Sequence, residues 1–164
     1  MSLVNFASNI VDESEFAALF VGCENLRDAS LFYLPATTIE VNCYRAMFSG
    51  CTGLEKGPKE LPATTAKDCA YYEMFTDCSK LKVAPEIKAT SIREMACQYM
   101  FRGCSVLSSI TVSFTSWNYS NMATYNWTQG VQTTAGSFKK PSGLDLIRNS
   151  GYNYSYIPVN WNVT

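Results

Sequence analysis

FSGCTGL, residues 48–54, decides the fold, because the same block returns at a nearly constant interval along the chain. It reads as an aromatic residue, any residue, Gly, Cys, and then Leu three positions on. The other copies are FVGCENL (Phe20 to Leu26), FTDCSKL (Phe75 to Leu81) and FRGCSVL (Phe101 to Leu107), with Phe-to-Phe intervals of 28, 27 and 26 residues. A period in the twenties marks a stacked-repeat architecture, in which no unit can bury its apolar face alone and neighbouring units supply the core.

A second anchor lies upstream of the first. LPATT stands at Leu34 to Thr38 and again at Leu61 to Thr65, with a degenerate IKATS at Ile87 to Ser91, and each begins 14 residues before the next Phe. Within a unit, a Thr or Ser followed three positions later by an acid (Thr37 and Glu40, Thr65 and Asp68, Ser91 and Glu94) fits a helix capping box. The spacing predicts short helices centred near 14–20, 39–48, 66–75 and 92–101. Each would end on a bulky pair (Met47-Phe48, Met74-Phe75, Met100-Phe101) as core-facing knobs. Gly22, Gly50 and Gly103 then fall where a left-handed residue is needed, with Asp77 as a tolerated substitute in the third copy. The Pro-containing stretch after each Cys, with Pro58 and Pro85, is too short for a second helix and reads as a strand and a turn.

The expectation is therefore an α/β leucine-rich-repeat solenoid of about four helix-strand units over residues 1–110. A β-rich capping segment follows over 111–164, with strands around Ser137 to Lys140 and Val159 to Val163.

The pattern LPATT...C-Y-x-x-MF-x-GC-x-x-L resembles the BspA-like leucine-rich repeats of bacterial surface proteins of the Bacteroidales type. The resemblance covers about residues 10–110, and the tail from Gly136 resembles the segment that closes such arrays. It implies export and a role in adhesion or interaction with host or neighbouring cells. The dense L-x-x-L-x-L-x-x-N block of standard leucine-rich repeats is absent.

Composition narrows the function. Hydrophobic residues make up 47% of the 164-residue chain, charged residues only 16%, and the net charge is -1. Nucleic acid is not an expected partner, since phosphate neutralisation needs clustered Lys and Arg. Histidine is absent, which removes the commonest general base and metal ligand. No stretch approaches a membrane span of roughly 20 apolar residues. The start, MSLVNF, lacks the basic and apolar regions of a signal peptide; a leader joined to an excised fragment is one way to account for it, and localisation is not read from it.

Four of the seven cysteines (Cys23, Cys51, Cys78, Cys104) recur once per unit. They read as a column of small buried thiols. A disulfide between adjacent rungs is an alternative, because stacked coils lie about 5 Å apart, and a structural zinc is another, disfavoured by the lack of His and of any C-x-x-C pair. Cys43, Cys69 and Cys97 have no basic partner by motif, so no nucleophile is expected.

Aromatic residues crowd the tail. They read either as a lid over the last coil or as a binding platform, for which Tyr152, Tyr154, Tyr156 and Trp127 are the candidates. The tyrosines alternate and would share a face in an extended segment. The N-x-S/T triplets at Asn118, Asn126, Asn153 and Asn162 read as turn and strand residues.

The expected protein is a cell-surface or secreted, adhesin-like module that binds host or neighbouring-cell protein or glycan. No catalytic residue, metal or cofactor is assigned. A phage virion or tail recognition protein and a structural spacer are the alternatives.

Overall fold

The computed structural model describes residues 10–132 and 134–164; MSLVNF lies outside them. The repeat generates a stack of coils whose strands are short and parallel. Strands β1 (Ile10–Val11), β2 (Thr38–Ile39), β4 (Thr65–Ala66) and β6 (Ser91–Ile92) pair in that order along one flank. On another, β3 (Glu60–Leu61) pairs with β5 (Glu86–Ile87). The stack continues through β7 (Ser109–Thr111), β8 (Ser137–Lys139) and β9 (Asn162–Val163), again parallel and in sequence order.

The helices of the expected α/β leucine-rich-repeat solenoid do not form. Among the described residues the only helical element is a three-residue 3-10 turn at Tyr119–Asn121. Thr65 and Ser91, read as helix caps, sit instead in β4 and β6. The segments read as helices are ribbons of consecutive turns, here numbered 1 to 5 and centred on Ala18, Ala46, Glu73, Tyr99 and Asn126.

Each of ribbons 1 to 4 divides its backbone donors in two. In ribbon 2 the N–H groups of Asn42, Tyr44, Ala46, Phe48 and Gly50 donate to carbonyls of ribbon 3 (Asp68, Ala70, Tyr72, Met74, Thr76). The intervening N–H groups of Arg45, Met47, Ser49 and Cys51 close turns onto the carbonyl three residues back. A helix would satisfy every donor internally, whereas here half of them need the next coil.

That geometry requires a left-handed residue every fourth position: Ser14, Ala18 and Gly22, then Asn42, Ala46 and Gly50, then Cys69, Glu73 and Asp77, then Met95, Tyr99 and Gly103. Such a conformation costs roughly 1–2 kcal/mol at a non-glycine residue. Inter-coil hydrogen bonds and core packing offset it.

Between the left-handed positions lie buried pairs: Cys43 and Tyr44, Met47 and Phe48; Ala70 and Tyr71, Met74 and Phe75; Ala96 and Cys97, Met100 and Phe101. This four-residue rhythm of adjacent pairs is close to the 3.6-residue period of a helix, which is why the sequence reads as helical. Stacking turns the pairs into columns. Phe20, Phe48, Phe75 and Phe101 form one, with successive centroids 5.3, 5.3 and 5.8 Å apart and planes within 14°. Phe16, Tyr44 and Tyr71 form a second, at 5.9 and 6.2 Å. Leu54, Leu81 and Leu107, all fully buried, form a third.

The ladder runs past residue 111. Ribbon 5 accepts the N–H groups of Met95, Cys97, Tyr99, Phe101 and Gly103 on Asn121, Ala123, Tyr125, Trp127 and Gln129. Residues 145–161 then close the stack. Thr128 N–H donates to the Tyr154 carbonyl, Asn126 N–H to Ser155 Oγ, and Asn149 Nδ2 to Thr128 Oγ1. Trp117, Trp127, Phe114 and Phe138 pack together beneath this closure, each ring within 6.1 Å of another.

The thiols set a pH limit. Burial pushes Cys43 and Cys97 up to about 12 and Cys51 up to about 11, from an ordinary 9.0. Above pH 9 the unfolded chain sheds these protons while the folded chain keeps them, so stability falls as pH rises through that window. Each such group contributes a slope of about 1.4 kcal/mol per pH unit. Urea midpoints should drop steadily from pH 9 toward pH 11; a flat profile would contradict the buried-thiol assignment.

Candidate interaction surface

The sequence-predicted tail residues do not form one platform. Trp127 is fully buried, and its indole N–H donates to the Tyr156 carbonyl at 3.0 Å. As the residue that follows Met100 in the stack, it belongs to the core. The tyrosine segment is not extended, because an antiparallel bridge between Ser150 and Asn153 folds the chain back. Tyr152 projects from that turn, 95% exposed. Tyr154 is half-buried and gives its carbonyl to Thr128. Tyr156 is half-buried, stacked on Tyr119 at 5.9 Å and edge-on to Trp117 at 5.3 Å.

The asparagines of the N-x-S/T triplets are at turns and a strand. Asn118 and Asn126 are left-handed, Asn153 lies at the fold-back and Asn162 begins β9. Asn118 also ties two coils together, Nδ2 donating to the Ile92 carbonyl at 2.7 Å.

A different surface emerges from the ribbons. Their outward positions carry Arg45, Tyr72, Tyr99, Arg102 and Tyr125, of which Arg45 is exposed and the others half-buried. The tyrosines meet edge to face, Tyr72 to Tyr99 at 6.0 Å and Tyr99 to Tyr125 at 5.8 Å. The Arg45 guanidinium lies over the Tyr72 ring at 4.8 Å and that of Arg102 over Tyr99 at 5.0 Å. Arg102 also reaches Glu73 at 4.0 Å. The phenol of Tyr72 is raised above its ordinary value by partial burial and, secondarily, by Glu73. The result is a stripe of tyrosine rings across ribbons 3 to 5, extended onto ribbon 2 by Arg45 and fixed by stacked guanidinium groups.

Sequence spacing hides this stripe. Hydrogen-bond register aligns Tyr72 with Arg45 and Gln98, so Tyr99 stands one place beyond its column and reaches the stripe from a left-handed position. The usable signal is the tyrosine just after the buried pair in the third and fifth units, Tyr72 and Tyr125.

Elsewhere, a shallow groove of about 510 Å³ lies beside Pro58 and Val83, flanked by Lys56, Lys59, Lys82 and Glu55. Surface ion pairs such as Glu40 with Lys67 and Asp68 with Arg93 join successive coils. Pairs that keep this much contact with solvent contribute little individually. Among the described residues no group of three or more His, Cys, Asp or Glu side chains is placed to hold a metal, and no helix is long and apolar enough to cross a membrane. No known protein family, curated protein or solved structure matches the chain.

Proposed function

We propose that the protein is a non-catalytic interaction module, cell-surface or secreted, that binds protein or glycan of a host or neighbouring cell through the ribbon face. The observation that carries this reading is the Arg45–Tyr72–Tyr99–Tyr125 stripe. Tyr and Arg are the residue types that dominate binding hot spots, and their rigid rings lose little entropy when covered. Aromatic rings also offer apolar faces with a polar handle, suited to sugars and peptides alike. The resemblance of the repeat blocks to BspA-like surface proteins supports the location.

The test is a binding screen of the purified protein on glycan and extracellular-matrix arrays, repeated with Tyr72, Tyr99 and Tyr125 all replaced by Ser. The expected result is a micromolar hit that weakens at least tenfold in the triple variant, about 1.4 kcal/mol, while the near-ultraviolet spectrum of the buried tryptophans is unchanged. A hit indifferent to the triple variant but lost on Tyr152→Ser would move the site to the tail. Absence of any hit would favour a structural spacer, a reading consistent with the unbroken core columns.

A further inference from the structure

The column of thiols is uniform in geometry and unequal in access. Cys51 Sγ donates to the Phe20 carbonyl at 3.0 Å, Cys78 Sγ to that of Phe48 at 3.1 Å, and Cys104 Sγ to that of Phe75 at 3.1 Å. Each sulfur therefore leans back toward the preceding coil. The Phe20 carbonyl also accepts the N–H of Cys23 at 3.0 Å. Cys51 Sγ and the Cys23 backbone thus converge on one oxygen.

The backbones alongside are in register. Gly22 N–H donates to the Ser49 carbonyl at 2.8 Å, and a Cβ placed on Gly50 would lie 3.5 Å from Gly22 Cα. Hydrogen-bonded neighbouring chains are about 5 Å apart, within the span of about 4.4–6.8 Å between Cα atoms that a disulfide bridges. Cys51, Cys78 and Cys104 are buried, but Cys23 is exposed. Only at the Cys23–Cys51 step does the column meet solvent.

We propose that Cys23 and Cys51 are a redox pair, forming a reversible disulfide that staples ribbon 1 to ribbon 2. With a small disulfide such as oxidised glutathione as oxidant, the Cys23 thiolate attacks one sulfur and expels the first glutathione thiolate. Cys51, losing its proton, attacks Cys23 Sγ and expels the second. Two protein thiols are oxidised, one glutathione disulfide is reduced to two thiols, and the two protons pass to the leaving groups. Thiolate attack through a mixed disulfide is the general route. The exposed member starts the exchange and the buried one resolves it. Closing this loop constrains the unfolded chain and raises stability.

The full chain is incubated with oxidised glutathione, its remaining thiols are counted after denaturation, and the bridge is mapped by non-reducing peptide mass analysis. The expected result is loss of two thiols, a Cys23–Cys51 peptide, and a higher melting midpoint that reverts on reduction. Cys51→Ser should trap glutathione on Cys23, and Cys23→Ser should lose no thiol. A persistent glutathione adduct on Cys23 in the unaltered chain, a bridge mapped to any other pair, or seven thiols remaining would overturn the proposal. Should Cys51→Ser fail to fold, Cys23→Ser, altered at an exposed position, still decides it.

Discussion

Replacing Phe75 by alanine is expected to destabilise the protein by about 3–5 kcal/mol, the range for emptying a fully buried aromatic site. Phe75 has ring neighbours on both sides, Phe48 at 5.3 Å and Phe101 at 5.8 Å, and no exposed atom surface to relax into. The loss interrupts the column midway and weakens both halves of the stack at once. Because small domains are stable by only about 5–15 kcal/mol, the variant should retain a fraction of the original stability. Urea denaturation with circular dichroism measures it, and a loss under about 1 kcal/mol would mean that the column is not packed as described.

Trp127→Ala separates the two roles the tail aromatics can have. As a core residue, with its indole bonded to the Tyr156 carbonyl and its ring against Phe101, Phe114, Trp117 and Phe138, it should cost about 3–5 kcal/mol when truncated. Tyr152→Ser, at a position 95% exposed, should change stability by less than about 0.5 kcal/mol. A Trp127→Ala protein of unaltered denaturation midpoint would contradict the core assignment. The contrast also shows why residue type alone misplaces a binding surface: Trp serves a lid and a hot spot equally well, and only the register of ribbon 5 decides between them.

What the sequence reveals here follows from which physical signals it carries. The period and the buried columns are readable, because Phe, Leu and Cys recur at intervals that stacking demands. The left-handed backbone at Gly22, Gly50, Asp77 and Gly103 is readable too, with φ of 70, 73, 59 and 75°. What is concealed is that the same conformation recurs at Ala46, Glu73, Met95 and Tyr99, residues with no preference for it. Their neighbours keep the helix-like pairing of apolar residues, so the local pattern points to a helix while the inter-coil hydrogen bonds impose a ribbon. The stripe is concealed for the same reason, since a residue's outward direction in a ribbon depends on a backbone state that its own chemistry does not announce.

The ladder has a direction. The peptide units Val41–Asn42, Cys43–Tyr44, Arg45–Ala46, Met47–Phe48 and Ser49–Gly50 each accept from ribbon 1 and donate to ribbon 3, and their counterparts in ribbons 3 and 4 do the same. In a pleated sheet successive dipoles largely cancel; these add, as in a helix. The stack is in effect an electret, with its positive pole toward the closing segment and its negative pole toward Glu13 and Glu15. An array of such coils can lengthen only by units inserted in the same sense, since a unit turned end for end would set donor against donor.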